Sequence, residues 1–332
     1  MENKKYYGLD LLRGIAGYGV AITHYLYFIK DKVNFEYYSF IFVEIFFVLS
    51  GFVLSNQLIK IHNEKNNLKV FYIRRLLRTI PLYVVALIFY TAVSNNFNLD
   101  FFKFLIFIKK IIPNFVESNY FMVAWSLSIE EFFYLLFPIY LILLKKTSIL
   151  RLVIYFIVFL TLIKILTYEN LSAEFLRTGT LLRLDSIALG FLLSIYFSKI
   201  VNFKRIVFFS SLILIIIFIN FKSYFFNNDS LNTLYFIFIA QLLSITLVVS
   251  FCNLEFLIRK SKIIKDLCSV VATQTYSIYL FHLIIMHFLI MSTSIYINNL
   301  FTYIFLLFIM SFVIFKYFER PILFLRPKYK NE

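Results

Sequence analysis

Long, nearly unbroken apolar stretches alternate with short polar ones along this chain, and that pattern leaves few folds open. About 20 apolar residues is the length of a helix that crosses a bilayer. In lipid every backbone N–H and C=O must be satisfied within its own segment, so such stretches become helices. Ten are legible, at 9–29, 39–61, 79–94, 125–144, 149–167, 180–197, 206–221, 234–252, 271–292 and 295–315. The third and seventh are short and are expected to extend or tilt. Apolar residues fill 61% of the 332 positions and charged residues 15%, against roughly 45–50% and 25% in a soluble domain. The expected class is therefore an all-α polytopic membrane protein with about ten transmembrane helices. Residues 101–112 are too short to span, are interrupted by Lys103, Lys109 and Lys110, and read as interfacial. The start imitates a signal peptide, but Asp10, Arg13 and His24 lie in its apolar run and no small-residue cleavage site follows. It reads as a retained first span, and residues 1–332 as one membrane-embedded domain with no appended soluble domain.

The net charge of +15 raises the question of nucleic acid. Most of the 33 lysines and arginines fall on alternate loops: Lys60 to Arg78, Lys145 to Arg151, Lys199 to Arg205, Arg259 to Lys265 and Lys316 to Lys330. That is the positive-inside pattern, which places both termini in the cytoplasm and explains the charge without a nucleic-acid partner. Cys252 and Cys268 lie at or near one cytoplasmic loop without metal-ligand spacing, so neither a disulfide nor a metal site is expected.

Against this apolar background the ionisable residues inside spans stand out, because charge in lipid is costly and usually serves a function. Arg13 and His24 share one face of the first helix, about 16 Å apart along it. With the N-terminus inside, Arg13 lies near the cytoplasmic face and His24 deeper. Trp125 suits an interface at the outer end of the fourth span, which puts Glu130 at a depth similar to His24. Glu44 joins that layer, as do Arg183, Asp185 and the mid-helix His282. The alternative is that Arg183 or Asp185 forms an interhelical ion pair; two residues apart on a helix, they cannot both face one pocket centre. Glu130 and Glu131 are likewise about 100° apart, so one belongs to the site, and His287 is turned about 140° from His282 and left out. His62 reads as solvated in a charged loop. On the cytoplasmic side Arg74, Arg75 and Arg78 precede Pro81, where the third helix is expected to begin. They read either as a membrane anchor or as a clamp for a phosphorylated cofactor, whose oxygens match guanidinium forks.

Taken in order, these segments resemble the acyltransferase-3 family of integral-membrane acyltransferases over almost the whole chain. The first helix carries Arg13 and His24 at the family's spacing. The second carries 43–52, with Glu44 where an aspartate is expected. The third begins with Arg74, Arg75 and Arg78 before Pro81. The run from Trp125 through Glu130 and Tyr134 to Pro138 is a very close match, and Arg183 with Asp185, Tyr279 with His282, and 318–321 complete the series. The resemblance implies transfer of an acyl group, usually acetyl from cytoplasmic acetyl-CoA, to a hydroxyl of an envelope glycan or lipid-linked glycan. It implies a multi-pass protein of the bacterial cytoplasmic (inner) membrane, in contact with lipid, and it leaves a homo-oligomer open. On that basis His24 and Glu130 are the expected catalytic pair, with Glu130 orienting or charge-stabilising the imidazole. Arg13, Arg74, Arg75 and Arg78 are expected to hold the cofactor. Glu44, Trp125, Tyr134, Arg183, Asp185, Tyr279 and His282 are expected to support the site or meet the substrate. Tyr134, Tyr279 and His24 are also candidates for a transient acyl carrier. The competing reading is a transporter with an intramembrane Glu/His proton relay. Helix breaks at Gly or Pro would favour it; Gly51 and Gly190 lie inside spans, but glycine and proline are scarce.

Overall fold

The computed structural model describes residues 6–30, 34–64, 67–107, 110–111, 120–225, 229–291 and 299–329. Every regular element there is helical. In order these are α1 (Tyr7–Phe28), α2 (Asn34–Asn63), α3 (Asn67–Ser94), α4 (Leu99–Leu105), α5 (Ala124–Leu143), α6 (Ile149–Thr167), α7 (Ala173–Thr178) and α8 (Leu184–Ile200). Then follow α9 (Lys204–Asn220), α10 (Lys222–Phe225), α11 (Ser230–Asn253), α12 (Glu255–Ile258), α13 (Lys262–Met291), α14 (Leu300–Ile314) and α15 (Arg320–Phe324). Each of the ten expected spans overlaps one of the long helices; residues 292 and 295–298, at the ends of the last two, lie outside the described residues.

By length and hydropathy, eight helical stretches among the described residues could cross a membrane. The difference from ten has two sources. The sixth and seventh expected spans run on as one helical stretch, Leu181–Tyr224. The first, α1, is diluted by Asp10, Arg13, His24 and four glycines, so composition alone does not qualify it. The molecule is an all-α polytopic membrane protein.

The third helix corrects the sequence reading. It begins at Asn67, well before Pro81, so the three arginines lie within it. Pro81 removes one backbone donor in mid-helix, a defect that neighbouring helices can absorb in a membrane protein. The segment at 101–112 holds a short helix, α4, whose Phe104 is buried and whose carbonyl accepts a 2.8 Å hydrogen bond from Tyr83 of α3. Lys109 and residue 112 lie outside the described residues. His62 is also not a loop residue. It sits on the last turn of α2, 3.1 Å from the Leu141 carbonyl of α5.

The centre of the bundle is α1, which packs on α2, α11 and α13 and buries Ala16, Val20, Ala21 and Tyr25. The helix pair α2 and α8 makes the most extensive contact, through reciprocal glycines. A Cβ on Gly51 would run into the Ile187 carbonyl, and one on Gly190 into that of Val48. Both glycines lie in unbroken helices, so they serve close packing rather than helix breaks. Gly51→Leu is expected to force α2 and α8 apart and to cost at least the 1–3 kcal/mol typical of overpacking. Loss of a monodisperse peak in detergent size-exclusion chromatography, with a lowered thermal midpoint, checks it.

Candidate functional site

Two cavities penetrate the bundle from opposite ends. The first, about 350 Å³, is lined by Arg13 of α1, Arg75 and Arg78 of α3, and Glu130 and Tyr134 of α5. It lies at the end where α1 and α13 begin and α14 finishes. The second, about 640 Å³, is lined by His24, Trp125, Arg177 and His287, at the end where α1 and α13 finish. Val43 and Tyr279 line both. The basic cavity and the histidine cavity therefore meet across one thin wall.

In that wall the hydroxyl of Tyr279 donates to the Val123 carbonyl at 3.0 Å and shares a 2.5 Å hydrogen bond with Ser126. One turn along α13, His282 is completely buried, and its Nε2 lies 2.9 Å from Nδ1 of His24. The two rings stack with centroids 5.1 Å apart. The protonation pattern follows from the other partners. Nδ1 of His282 faces two carbonyl oxygens, Tyr279 at 2.7 Å and Ile278 at 3.2 Å. Carbonyls only accept, so this nitrogen carries the proton, and Nε2 of a neutral ring must then accept. His24 therefore donates through Nδ1, and its Nε2 is left with a lone pair on a side chain that lines the histidine cavity. A neutral imidazole fixed in that tautomer can take a proton from an incoming hydroxyl.

The structure gives His24 a different partner from the one expected. Glu130 accepts from Ser50 at 2.9 Å and from Tyr134 at 3.0 Å, and it lines the basic cavity. None of its hydrogen bonds reaches His24; His282 orients the ring instead. Depth along a helix axis carried no information about lateral neighbours, and two helices at one depth can face different cavities. Glu131 does not line either of these cavities.

The arginines divide too. Arg75 donates to Gln57 at 2.8 Å and lies over the Tyr134 ring, while Arg78 lines the cavity beside it. Arg74 turns away to the C-terminal segment, donating to the Pro327 carbonyl at 2.8 Å, with its guanidinium over the Tyr329 ring. Arg13 lines the basic cavity with Asp10, 3.9 Å from it. Trp125 packs against Phe40 and Phe47 in the wall of the histidine cavity.

Glu44, Arg183 and Asp185 line neither of these two cavities; their side chains are taken up in ion pairs, the alternative that the sequence leaves open for Arg183 and Asp185. Arg183 is ion-paired to Glu44 and donates to Ser186 at 3.2 Å. Asp185 is ion-paired to Lys164, and Gln241 donates to both Asp185 and Ser186. This buried polar cluster joins α2, α6, α8 and α11. Lys164 is completely buried, and the sequence marks it only as a lysine within an apolar span. His287 lines the histidine cavity despite its angle from His282, and Arg326, one of the basic residues of the C-terminal cluster, lines the basic cavity. Cys252 and Cys268 are free and buried.

Comparison with known proteins gives the family. A family profile described as an acyltransferase domain matches residues 6–318, and the chain belongs to this acyltransferase-3 family. It is similar to the O-acetyltransferase OatA of Staphylococcus aureus strain NCTC 8325 / PS 47, with 32% identity over 219 residues. That match covers 56% of this chain and 34% of OatA, and OatA of strain COL gives the same figures. The chain thus spans about a third of the length of these curated relatives. No solved structure matches.

Proposed function

We propose that this protein is a membrane O-acyltransferase. It moves an acyl group, acetyl in the first instance, from cytoplasmic acyl-CoA to a hydroxyl of an envelope glycan or lipid-linked glycan at the bacterial cytoplasmic membrane. The observation that carries the reading is the meeting of an arginine-lined cavity and a histidine-lined cavity at Tyr279 and Val43. Family membership supports acyl transfer, and the names of the relatives support oxygen as the acceptor atom. With both termini cytoplasmic, the basic cavity opens to the side where acyl-CoA is found.

The donor enters with its phosphates on Arg75 and Arg78 and its thioester toward Tyr279. Arg13 and Glu130 lie along that path, the carboxylate offsetting part of the guanidinium charge. The acceptor hydroxyl arrives through the histidine cavity and gives its proton to Nε2 of His24 as its oxygen attacks the thioester carbonyl. The C–S bond breaks, the ester forms, and the proton on His24 passes to the departing thiolate. His282 holds its own proton on backbone carbonyls, so it positions His24 rather than relaying charge. Trp125 and Phe40, their rings tilted 41° to each other and Arg177 lying over Phe40, give the acceptor cavity an aromatic wall beside a cation. Direct transfer is favoured over an acyl-tyrosine at Tyr279, because that hydroxyl is already committed to the Val123 carbonyl and Ser126.

Membranes containing the protein, supplied with labelled acetyl-CoA and envelope glycan, test the proposal. Label appearing in base-labile esters of the glycan supports it; ion uptake or exchange without label transfer would favour a transporter. His282→Ala is expected to lower kcat roughly 10²-fold by releasing the His24 tautomer, with the KM for acyl-CoA nearly unchanged. A proportionate rise in that KM, at unchanged kcat, would place His282 in donor binding instead.

A further inference from the structure

The chain does not leave the protein after its last helix. Residues 326–329 fold back over α2 and α3. The Pro327 carbonyl accepts from Arg74, and Tyr329, buried, donates to Gln57 at 3.1 Å. The same Gln57 oxygen accepts from Arg75 at 2.8 Å, and the Tyr329 ring lies against Arg74 and Lys60. These fastenings deliver Arg326 to the basic cavity, where it joins Arg75 and Arg78.

Arg326 is badly served by its own protein. Its Nε and Nη2 are buried with no hydrogen-bond partner, as is Nε of Arg75. Burial and the neighbouring Arg78, Arg75 and Arg74 push Arg326 down to about 10, so it is still charged at neutral pH while crowded by like charge. A buried donor without a partner is costly, and several around one cavity define a place for an anion with many oxygens. Guanidinium forks match phosphate in shape as well as charge.

We propose that Arg326 is the third arginine of a phosphate-binding cluster with Arg75 and Arg78, and that the 326–329 segment is the strap that completes the donor site. This rests on the acyl-CoA reading and gives it a specificity element beyond the helices: the strap selects the phosphorylated end of the donor and leaves the pantetheine arm to the cavity floor. Arg74, facing away from the cavity, acts by holding the strap.

The test is calorimetric binding to the full-length protein in phosphatidylcholine nanodiscs, with coenzyme A and with unphosphorylated pantetheine. Arg326→Gln is expected to weaken coenzyme A roughly tenfold or more and to leave pantetheine unchanged. Arg326→Lys keeps the charge without the fork, is safer for folding, and should fall between the two. Tyr329→Phe, which frees the strap from Gln57, should weaken coenzyme A a few-fold in the same direction. Coenzyme A bound equally by wild type and both Arg326 variants overturns the assignment alone. No coenzyme A binding by the wild type overturns the donor reading, and this assignment with it. Competition from added phosphatidylglycerol that disappears in Arg326→Gln would identify a lipid headgroup as the occupant and overturn the donor strap.

Discussion

His24→Ala is expected to abolish acyl transfer, a loss of at least the 10²–10⁴-fold that a positioned general base contributes. The reason is local. The ring is fixed by a 2.9 Å hydrogen bond to His282, and the tautomer that bond imposes leaves Nε2 as the basic nitrogen of a side chain lining the histidine cavity. Alanine removes the base but leaves α1 packed through Gly14, Ala16, Gly17, Val20 and Ala21, so insertion and donor binding should persist. Label transfer from acetyl-CoA, measured beside coenzyme A affinity in the same membranes, separates the two. Full activity in this variant would remove His24 from the chemistry. His287 would then be the base to test, since it lines the same cavity and its Nε2 has no partner.

The second large effect lies away from both cavities. Lys164→Met should destabilise the protein by roughly 3–5 kcal/mol, because it strands Asp185 as an uncompensated buried charge. Both side chains are within 1% of complete burial, and Gln241 alone cannot replace an ammonium. The double variant Lys164→Met/Asp185→Leu should recover most of that loss, since replacing both members of a buried pair with apolar groups is often neutral. Thermal unfolding in detergent reads the stabilities, and acyl transfer by the double variant reads the role. An active double variant identifies the pair as a fastening between α6 and α8. A stable but inactive one would return Asp185 to the active site.

Much of the candidate site is legible because intramembrane polar residues are expensive and therefore few. His24, Arg13, Arg75, Arg78, Glu130, Tyr134, Trp125, Tyr279 and His282 all line the cavities or touch a residue that does. The same rule could not tell a site from a lock. Glu44, Arg183 and Asp185 are as costly in lipid as His24, and only their partners reveal that ion pairing offsets part of that cost. Partner choice depends on helix rotation and crossing, which hydropathy does not encode. For the same reason depth alone pairs Glu130 with His24 rather than with Ser50 and Tyr134, and gives Lys164 no partner, although it lies against Asp185. The fold itself was easier, since length and apolar content nearly determine a membrane helix. Where composition erred, in the start of α3, the cause was charge: Arg74, Arg75 and Arg78 look like the end of a helix by hydropathy, yet they lie within one that continues beyond the apolar span.

The shared wall at Tyr279 has an electrical consequence. On the proposed route neither the polyanionic donor nor the bulky acceptor passes from one cavity to the other; an acyl group crosses one way and the acceptor's proton, by way of His24, the other. A full charge moved through the membrane field would exchange about 2.3 kcal/mol per 100 mV. Exchanging acyl for proton turns a thioester into a thiol on one side and an alcohol into an ester on the other, so neither side's net charge changes and the membrane potential is not drawn on.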